Sequence, residues 1–393
     1  MAPDDGDTAS PRASLDGPVA LVSDSSEFAG AELYMAVLAE TLREQCSFVV
    51  LLGDGAAEET RERLTRAGAD LTIVPGLGRR PTARSAVRLG RALRRLEPAI
   101  VHLNLTDQGD GLGQIAAAAL AGRPTVATVH LVLPSRARWR ESISGLALRR
   151  LDTVIGVSAA VTQYLRRRGA NAVLVRNGLP PPVPDPNARA ALGLKPSDFV
   201  VGGVGRLHAQ KGWDILCRAS LLVREQRRDI VFVVVGEGPE RDRLAASSAC
   251  KSVRFLGARR GAASLIPAFD MLAAPSRFEG LGLTPLEALH QGVPVIAANI
   301  DGLIELVGDC AVVVPPENPE ALAAAILRMA ADDGLRAELA ERGRRRARTL
   351  FTAERMAAET LAVYRVAAGR PGALATVRTM RPADESRSGR RPT

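Results

Sequence analysis

From Gly17 onward the chain alternates short apolar runs with longer segments in which apolar residues recur every three or four positions. The apolar runs predict buried strands, and the segments with helical spacing predict amphipathic helices. In the first half the pattern places strands at residues 18–23, 48–52, 71–74, 100–104, 125–130 and 153–157. It places helices at residues 30–45, 57–67, 82–96 and 111–121, and a further helix that ends at residue 149. Strands separated by helices of about 10–15 residues predict βαβ units and a parallel sheet.

A proline-rich segment interrupts this alternation. Residues 179–197 begin with Leu-Pro-Pro-Pro-Val-Pro-Asp-Pro-Asn, which suits neither a helix nor a central strand and predicts an extended linker. Beyond it the pattern resumes, with strands at residues 200–204, 231–235, 253–256, 271–274, 293–297 and 311–314. Helices are predicted at residues 212–225, 239–248, 284–291, 319–331 and 353–366.

The two halves together predict an α/β chain with two doubly wound, Rossmann-like domains at residues 17–178 and 198–352. Such domains bind ligands at the carboxyl ends of their strands. We therefore expect the two domains to face each other across a central cleft that holds the ligands.

The two ends of the chain differ from this core. Residues 1–16 are rich in Asp, Ser and Pro, and residues 370–393 are rich in Arg, Pro and Ser, so both segments are predicted to be disordered. We expect the helix within residues 353–369 to pack back on the N-terminal domain. The start lacks the basic and apolar pattern of a signal peptide, and no apolar run of about 18 residues predicts a membrane span. We expect a cytoplasmic protein whose basic tail makes at most a peripheral membrane contact.

Composition fits two domains and argues against nucleic-acid binding. A chain of 393 residues, 46% of them apolar, is long enough for two domains that each bury a core. Lys occurs three times, so Arg supplies the other 49 of the 52 basic residues behind the net charge of +9. This bias is typical of GC-rich coding sequences and not of a surface selected for nucleic acid. Aromatic residues make up only 3%, so no platform for base stacking is expected.

The four cysteines stand apart from one another in the sequence. Cys46, Cys217, Cys250 and Cys310 lie among apolar neighbours, without CxxC or metal-ligand spacing. In a cytosolic protein this distribution indicates buried and reduced thiols.

The strongest candidate for chemistry is the segment Pro-Ser-Arg-Phe-Glu-Gly-Leu-Gly-Leu-Thr-Pro-Leu-Glu, residues 275–287. It follows a predicted strand and opens a predicted helix. Gly280 and Gly282 would expose backbone N–H groups just before the helix N-terminus, an arrangement that binds diphosphate oxygens. Glu279 and Glu287 could accept hydrogen bonds from sugar and ribose hydroxyls. The alternative is a common glycine turn beside two ordinary surface glutamates.

A second candidate is the turn Gly-Arg-Leu-His-Ala-Gln-Lys-Gly-Trp-Asp at residues 205–214, which follows another predicted strand. Arg206 and Lys211 can both reach a pyrophosphate from this turn, the first as a bidentate fork and the second as a point charge. A lysine here is notable in a chain that uses arginine almost everywhere else. The alternative is a solvated lysine in a turn.

Together these segments resemble the large family of retaining glycosyltransferases with the GT-B fold, family four of the glycosyltransferase classification. The resemblance rests on motifs that occur in the family's order in the half after the linker. They are G-R-L-x-x-x-K-G-x-D at 205–214, V-G-x-G-P at 235–239, V-x-F-L-G at 253–257, E-x7-E at 279–287 and G-x-P-V at 292–295. The segment 301–305 and the Val-Val-Pro-Pro turn at 313–316 also resemble the family.

The resemblance implies a role for each matching residue. Arg206 and Lys211 would neutralise the donor diphosphate. Glu279 would hold hydroxyls of the donor sugar, and Glu287 would bind the ribose. Other residues would complete the donor site, Ala258 beside the base and Gly280, Leu281 and Gly282 through backbone donors.

The N-terminal half resembles the family less closely. Residues 28–32 correspond to a G-G-x-E loop in which Ala29 replaces the first glycine, while Gly30 remains and would approach the donor. The segment Thr-Val-His at 128–130 resembles a T-x-H motif, which implies that His130 lies near the anomeric carbon. Outside the resemblance, a single histidine at a strand end is more often structural.

The resemblance implies front-face attack, and the N-terminal half shows no obvious carboxylate nucleophile. The acceptor hydroxyl would enter as the diphosphate leaves, and the leaving phosphate would serve as the base. Arg206, Lys211 and the helix N-terminus would stabilise the developing negative charge. No D-x-D motif stands at a strand end, so we expect no cofactor and no metal requirement.

The acceptor is expected to contact the loops of the N-terminal domain. Four carboxylates occupy these loops, Asp24 and Glu27 after the first strand and Asp107 and Asp110 after Asn104. On a basic chain such an acidic rim would favour a small cationic acceptor, an aminocyclitol or amino sugar as in antibiotic biosynthesis. The alternative is the biosynthesis of lipid-linked glycans or of mycothiol-like thiols.

Other classes of protein remain as alternatives. A nucleotide-sugar epimerase fits the fold but not the G-R-L-x-x-x-K-G turn. A non-catalytic partner that binds sugar nucleotides would not need the complete set of Arg206, Lys211, Glu279 and Glu287. A Rossmann dehydrogenase would carry G-x-G-x-x-G after the first strand, and this motif is missing there. Family frequency favours UDP, whereas the sequence leaves the sugar, the base and the oligomeric state open.

Overall fold

The computed structural model of the chain describes residues 15–78, 82–109, 111–133 and 138–369, with only the backbone for residues 138–142. The predicted leader, apart from its last two residues, lies outside the described residues. So do the predicted tail at residues 370–393 and Asp110, one of the four carboxylates expected near the acceptor.

The first half of the chain forms a parallel sheet. Its strands are β1 (Val19–Ser23), β2 (Phe48–Gly53), β3 (Asp70–Val74), β4 (Ile100–Leu105), β5 (Thr125–Val129), β6 (Thr153–Gly156) and β7 (Ala172–Leu174). They lie in the order β3-β2-β1-β4-β5-β6-β7. The order reverses between β1 and β4, and the carboxyl ends of these strands therefore flank the crevice where such sheets bind ligands.

Helices cover both faces of this sheet, which explains why its strands are apolar throughout. They are α1 (Gly30–Leu42), α2 (Glu58–Arg66), α3 (Ala83–Leu96), α4 (Leu112–Ala121), α5 (Arg138–Leu148) and α6 (Ala159–Arg167). Alternate residues of β1 enter different cores: Val19 and Leu21 pack in the core that contains α1, whereas Ala20 and Val22 pack in the core that contains α3 and α4.

The second half forms another parallel sheet. Its strands are β8 (Phe199–Val204), β9 (Ile230–Val235), β10 (Val253–Phe255), β11 (Met271–Ala274), β12 (Val295–Ala298) and β13 (Ala311–Val314). They lie in the order β10-β9-β8-β11-β12-β13. Here the order reverses between β8 and β11, which are followed by the two motifs singled out in the sequence.

The helices of the second half follow the same alternation. They are α7 (Ala188–Ala191), α8 (Trp213–Gln226), α9 (Arg241–Ala246), α10 (Leu283–Gln291), α11 (Asp301–Val307), α12 (Pro319–Ala331), α13 (Asp333–Leu350) and α14 (Ala353–Ala367). Short 3-10 turns add Ala209–Lys211, Ser248–Cys250 and Ala262–Ala268. Within the described ranges, no helix is both long enough and apolar enough to span a membrane.

The two doubly wound sheets confirm the predicted fold class. The predicted elements did not include α6, β7, α11 or the 18-residue helix α13, and the linker was predicted to be extended throughout. The linker instead contains α7, because Ala-Arg-Ala-Ala favours a helical turn. Gly193, with φ +61°, follows the end of that turn.

The chain crosses from one domain to the other twice, first at the start of the linker and again just before α14. The two crossings lie side by side. At the start of the linker, the Leu179 N–H donates to the backbone oxygen of Phe351 at 3.0 Å. Gly178 lies so close to the second crossing that a Cβ there would be 2.0 Å from the oxygen of Thr352. Beyond this crossing, α14 packs against α1, and the Tyr364 hydroxyl hydrogen-bonds the ring of His102 in β4.

Two of the four cysteines contradict the expectation of reduced thiols. Cys217 in α8 and Cys250 in the turn at 248–250 form a disulfide, whereas Cys46 and Cys310 are buried and free. The paired residues are 33 positions apart in the sequence, and α8 packs against the turn that carries the second of them. The sequence pattern does not fix this packing, and without it the pairing could not be predicted.

Candidate functional site

A cleft of about 1180 Å³ is lined by both halves of the chain at the carboxyl ends of their strands. The residues from the sequence analysis that line it are Glu27, Gly30, His130, Arg206, Lys211, Ala258, Glu279, Gly280, Leu281, Gly282 and Glu287. In the part of the chain that the structure describes, no three His, Cys, Asp or Glu side chains are grouped as a metal site would need.

One wall of the cleft is shaped by the donor loop, which we define as residues 275–282 between β11 and α10. A Cβ at Gly280 would lie 1.8 Å from the backbone oxygen of His130, so only glycine lets the loop approach the opposite wall this closely. Gly282 has φ +95° and directly precedes α10. The start of α10, the positive end of its dipole, therefore lies at the cleft.

Lys211 and Glu279 form an ion pair in this wall. The Lys211 Nζ lies 2.6 Å from Oε1 of Glu279, and their side chains are 19% and 8% exposed. The Ser276 hydroxyl donates to the same carboxylate oxygen at 2.9 Å, and Gln210 Nε2 donates to the other at 3.4 Å. These bonds fix the Glu279 carboxylate and hold Lys211 beside the donor loop.

The turn that carries Lys211 is bonded to the donor loop. Arg277 donates two hydrogen bonds to the carboxylate of Asp214, each 2.9 Å long. The Arg277 N–H also donates to the backbone oxygen of Gln210 at 2.7 Å. Gly212 has φ +69°, and a Cβ there would lie 2.1 Å from the oxygen of Pro275. Two motifs distant in the sequence therefore form one structural unit.

Arg206 reaches across the cleft to the N-terminal wall. Its Nη1 lies 3.1 Å from Oε2 of Glu27, in the loop after β1. The two side chains are 41% and 56% exposed, and exposed pairs of this kind are worth only about 0.2–1 kcal/mol. The Trp213 indole N–H donates to the Arg206 backbone oxygen at 2.9 Å. The backbone of Arg206 is thus anchored, while its guanidinium can exchange partners at low cost.

Glu287 lies in α10 and contributes a carboxyl group to the cleft. Burial raises its pKa to about 8, although the nearby charges of Arg63 and Lys211 lower it. In the unliganded cleft this carboxyl therefore keeps its proton at neutral pH.

The loop at residues 28–32 forms part of the N-terminal wall. Its shape is set by Glu32, whose Oε2 accepts a hydrogen bond from the Ala29 N–H at 3.1 Å. Burial raises the pKa of Glu32, although its hydrogen bonds lower it. Gly30 comes close to α10, where a Cβ at this position would lie 3.2 Å from Leu283 Cδ1. The loop therefore lies against the start of α10 although Ala29 replaces the first glycine of the G-G-x-E motif.

His130 follows β5 and stands where the two walls meet. Its Nε2 lies 2.8 Å from Oδ1 of Asn104 in β4. Its ring meets the ring of Tyr34 edge to face, with 4.9 Å between the centroids. Burial lowers the pKa of His130 to about 3, so its imidazole is neutral at ordinary pH.

The acidic rim expected for the acceptor is not formed by the described residues. Asp24 is only 6% exposed after β1, and the Asp107 carboxylate accepts a hydrogen bond from Gly109 N–H within its own loop at 2.7 Å. Glu27 is thus the one described carboxylate of the proposed set that lines the cleft. Arg63 and Arg66 of α2 line the same wall, where they pair with Glu59 at 4.0 Å and with Glu62 at 3.0 Å. A strand-end position does not determine which way a loop turns, and contact of these four carboxylates with an acceptor stays a prediction.

Four polar residues of this site were missed by the sequence analysis: Gln210, Ser276, Arg277 and Asn104. Gln210, Ser276 and Arg277 lie inside the two motifs, and their capacity to donate hydrogen bonds could have indicated their role. A buried carboxylate such as Glu279 needs several donors, and the neighbouring polar residues were the available ones. Asn104 stood at the end of a buried strand, next to the strand that ends at His130.

Two family profiles match the two halves of this architecture. Residues 28–181 match the profile described as Glycosyltransferase Family 4, and residues 198–332 match Glycosyl transferases group 1. The matched ranges lie on either side of the linker and together include both walls of the cleft. The chain belongs to glycosyltransferase family four. The resemblance seen in the motifs is therefore confirmed, and the two sheets are the two halves of the GT-B fold.

The chain spans about half the length of the curated glycosyltransferases that it matches. It is 33% identical over 177 residues to the lipopolysaccharide core biosynthesis mannosyltransferase LpsB of Rhizobium meliloti, across 42% of this chain and 50% of that protein. It is 38% identical over 194 residues to the D-inositol 3-phosphate glycosyltransferase of Salinispora arenicola, across 45% of this chain and 43% of that protein. The two names describe different reactions, so membership of the family does not fix the substrates.

Solved glycosyltransferase structures share the fold over most of the chain. HepE of Anabaena, in complex with UDP and glucose, has a TM-score of 0.76 and 23% identity, covering 88% of this chain and 99% of HepE. WaaG, a glycosyltransferase involved in lipopolysaccharide biosynthesis, has a TM-score of 0.69 and 18% identity, covering 87% of this chain and 99% of WaaG. At these identities the likeness establishes the GT-B fold.

Proposed function

We propose that this protein is a retaining glycosyltransferase that moves a hexosyl or N-acetylhexosaminyl group from a nucleotide-diphosphate sugar to an acceptor hydroxyl. The observation that carries the proposal is that Arg206, Lys211, Glu279 and Glu287 line one cleft together with the start of α10. Two cations and a helix N-terminus suit a diphosphate. The two carboxyl groups suit the hydroxyls on either side of it.

Donor binding would exchange the partners of both cations. The diphosphate would replace Glu27 at Arg206 and would share Lys211 with Glu279. Glu279 would then be available to hydroxyls of the sugar, still held by Ser276. Glu287 would accept hydrogen bonds from the ribose, and Ala258 would contact the base, with the backbone from Gly280 to Gly282 at the phosphates.

The proposed reaction is a front-face displacement. The bond between the anomeric carbon and the diphosphate oxygen breaks, and the acceptor oxygen forms a new bond on the same face. The acceptor's proton passes to the leaving diphosphate. Arg206, Lys211 and the α10 N-terminus stabilise the negative charge that develops on the leaving group. We propose that this set of positive groups makes a metal ion unnecessary.

UDP is the proposed carrier of the sugar. HepE, which shares the fold, has been solved in complex with UDP and with UDP-glucose. This supports a UDP-sugar donor for the present chain but does not select glucose over N-acetylglucosamine.

A small polar acceptor, either a cyclitol or a sugar, is proposed. The aminocyclitol or amino sugar expected from the sequence now rests on Glu27, which is paired with Arg206. Arg63 and Arg66 line the same wall and would have to leave their partners Glu59 and Glu62 to bind the phosphate of a cyclitol phosphate. The match to a D-inositol 3-phosphate glycosyltransferase supports this second acceptor.

The direct test is turnover by the purified protein with UDP-glucose, UDP-N-acetylglucosamine and GDP-mannose against inositol phosphate, an aminocyclitol and a neutral sugar. We expect release of UDP that depends on the acceptor, and an α-linked product from an α-linked donor by NMR. Lys211→Ala should lower kcat by about 100-fold or more. Lys251→Ala, at an exposed position on the same half, is the matched control and should leave kcat unchanged.

Two results would contradict the proposal. Release of an epimerised sugar without any acceptor would indicate an epimerase. Binding of UDP, seen as a rise in Tm, without turnover of any donor would indicate a non-catalytic partner protein.

A further inference from the structure

The donor and the acceptor can be assigned in the hydrogen bonds that join His130 to Asn104 and Asn104 to the backbone. Strands β4 and β5 pair so that Asn104 stands opposite Thr128. The backbone N–H of His130 donates to the backbone oxygen of Leu105 at 3.1 Å. This register places the side-chain amide of Asn104 beside the imidazole of His130, with 2.8 Å between Asn104 Oδ1 and His130 Nε2. Asn104 is 1% exposed, so water does not compete for the bond.

A backbone carbonyl fixes which way the Asn104 amide points. Its Nδ2 lies 3.1 Å from the oxygen of Ala31, in the first turn of α1. A carbonyl oxygen can only accept, so the amide must direct its NH2 group to Ala31. The amide oxygen then faces His130, and because that oxygen also only accepts, Nε2 must carry a proton.

We infer that Asn104 is a positioning residue that holds His130 in the tautomer with its proton on Nε2 and a lone pair on Nδ1. None of the described residues hydrogen-bonds Nδ1, and His130 lines the cleft. The ring therefore offers a bound substrate an acceptor and not a donor. The chemical group that fits is a hydroxyl, which would donate its proton to Nδ1, either from the donor sugar or from the acceptor.

Uncharged surroundings keep the ring in this state. The titratable groups facing it are Tyr34 of α1 and His102 of β4, both buried. From the opposite wall the contact is the backbone at Gly280, which carries no charge. A carboxylate in place of Asn104 would favour the imidazolium ion, whose two nitrogens both donate. The amide thus orients the ring without charging it.

The tautomer can be read directly, without any assay of activity. The chain has four histidines, so labelling histidine with 15N gives four pairs of ring nitrogens in a long-range 1H–15N spectrum. His130→Gln identifies the pair that belongs to His130. In the free protein at pH 7 we expect a protonated, pyrrole-type shift at Nε2 and a pyridine-type shift at Nδ1. The reverse assignment, or averaged shifts at both nitrogens, overturns the inference.

Two substitutions test whether the amide sets this state. Asn104→Asp keeps an acceptor for Nε2 but adds charge, so the pKa of His130 should rise from about 3 to between about 4 and 6. An acid limb would then enter the pH profile of kcat. Asn104→Leu removes the acceptor and should lower kcat about 10- to 100-fold, with the donor KM changed less than about threefold.

Thr128→Val is the matched control, because Thr128 is buried opposite Asn104 but bonds Tyr34 and His102 and not His130. It should leave the His130 shifts and the acid side of the pH profile as in the unmodified chain. If it reproduced the effect of Asn104→Asp, the role of Asn104 would be structural only. The spectrum of the unmodified protein keeps the inference testable even if an Asn104 variant fails to fold.

The source of the hydroxyl is distinguished by adding ligands in turn, and this step rests on the proposed function. A change in the Nδ1 shift with UDP-glucose but not with UDP assigns the bond to the donor sugar. A change only on addition of the acceptor assigns it to the acceptor. No change with either ligand overturns the hydroxyl contact. A protonated Nε2 in a protein that transfers no sugar would refute the proposed function and leave the tautomer established.

Discussion

The two walls of the cleft hold their polar groups in opposite ways. On the C-terminal wall, Lys211 pairs with the carboxylate of Glu279. Arg206 of the same wall pairs with the carboxylate of Glu27 on the opposite wall. On the N-terminal wall His130 is held by a neutral amide, and burial removes its charge at ordinary pH. Charged pairs can exchange partners when an anionic ligand arrives, whereas buried neutral hydrogen bonds keep one geometry. Under the proposed function, one wall would stabilise charge and the other would orient the substrates.

The largest expected effect comes from forcing the walls apart. Gly280→Ala places a Cβ at 1.8 Å from the His130 oxygen, so the donor loop must move away from the N-terminal wall. We expect kcat to fall by about 100-fold, the typical cost of a misplacement of about 1 Å. Gly55→Ala is the control, because a Cβ there meets nothing within 4 Å, and it should leave kcat unchanged. Equal activity of the two variants would show that contact between the walls is not needed.

The next effect is on the pH dependence of donor binding, through Glu287. Its pKa of about 8 means that the carboxyl ionises between pH 7 and 9, where the UDP diphosphate is already charged. Because a carboxylate is the stronger acceptor for ribose hydroxyls, UDP affinity should rise over this range by up to about tenfold. Calorimetric titrations should show this rise in the unmodified protein and a flat profile in Glu287→Gln.

Glu287 should also affect stability, with a definite sign. A carboxyl whose folded pKa is raised binds a proton that the unfolded chain has lost, so its stabilising effect is full below pH 4.5 and lost as pH rises through about 8. The Tm of the unmodified protein should therefore fall more between pH 5 and 8 than that of Glu287→Gln. Parallel Tm curves would contradict the raised pKa.

A smaller effect is expected from the pair that joins the walls. Glu27→Gln frees Arg206 for the diphosphate, and an exposed pair worth about 0.2–1 kcal/mol corresponds to a UDP affinity about 1.4- to 5-fold tighter. The gain should shrink at high salt, because screening already weakens the pair. If binding weakened instead, Glu27 would be part of the donor site and not a competitor for Arg206.

The smallest effect is expected from metal removal. We expect EDTA to leave kcat within about twofold of its starting value, since Arg206, Lys211 and the α10 N-terminus already face the proposed diphosphate site. Recovery of lost activity on addition of Mg²⁺ or Mn²⁺ would instead assign charge stabilisation to a metal ion and remove it from this wall.

The sequence predicted the C-terminal wall far better than the N-terminal wall. Glu279 and Lys211 were found because they lie in contiguous motifs whose local shape, a strand, a glycine turn and a helix, is set by nearby residues. Asn104 and His130 meet only through the register of β4 against β5, which a linear pattern does not state. Asp24 and Asp107 do not line the cleft for a related reason, because each follows a predictable strand but enters a loop of its own direction.

Predictions of the fold succeeded where the local hydrophobic pattern determines an element. They failed where an element is very short or depends on packing. The strands were found because both faces of each sheet are covered, which makes the strands apolar throughout. Strand β7 was missed because its three residues are too short to show a period. The disulfide between Cys217 and Cys250 was missed because it depends on the packing of α8 against a 3-10 turn.

The two side-by-side crossings of the chain mean that any rotation of one half against the other would pivot at a single place. Because Leu179 is hydrogen-bonded to Phe351, the start of the linker and the junction before α14 would turn together in such a rotation. Rotation about this point would separate Gly280 from His130 and Arg206 from Glu27, while bonds within one wall, such as Arg277 to Asp214, would stay intact. Substrates could then enter and products leave through a motion that preserves both halves of the site.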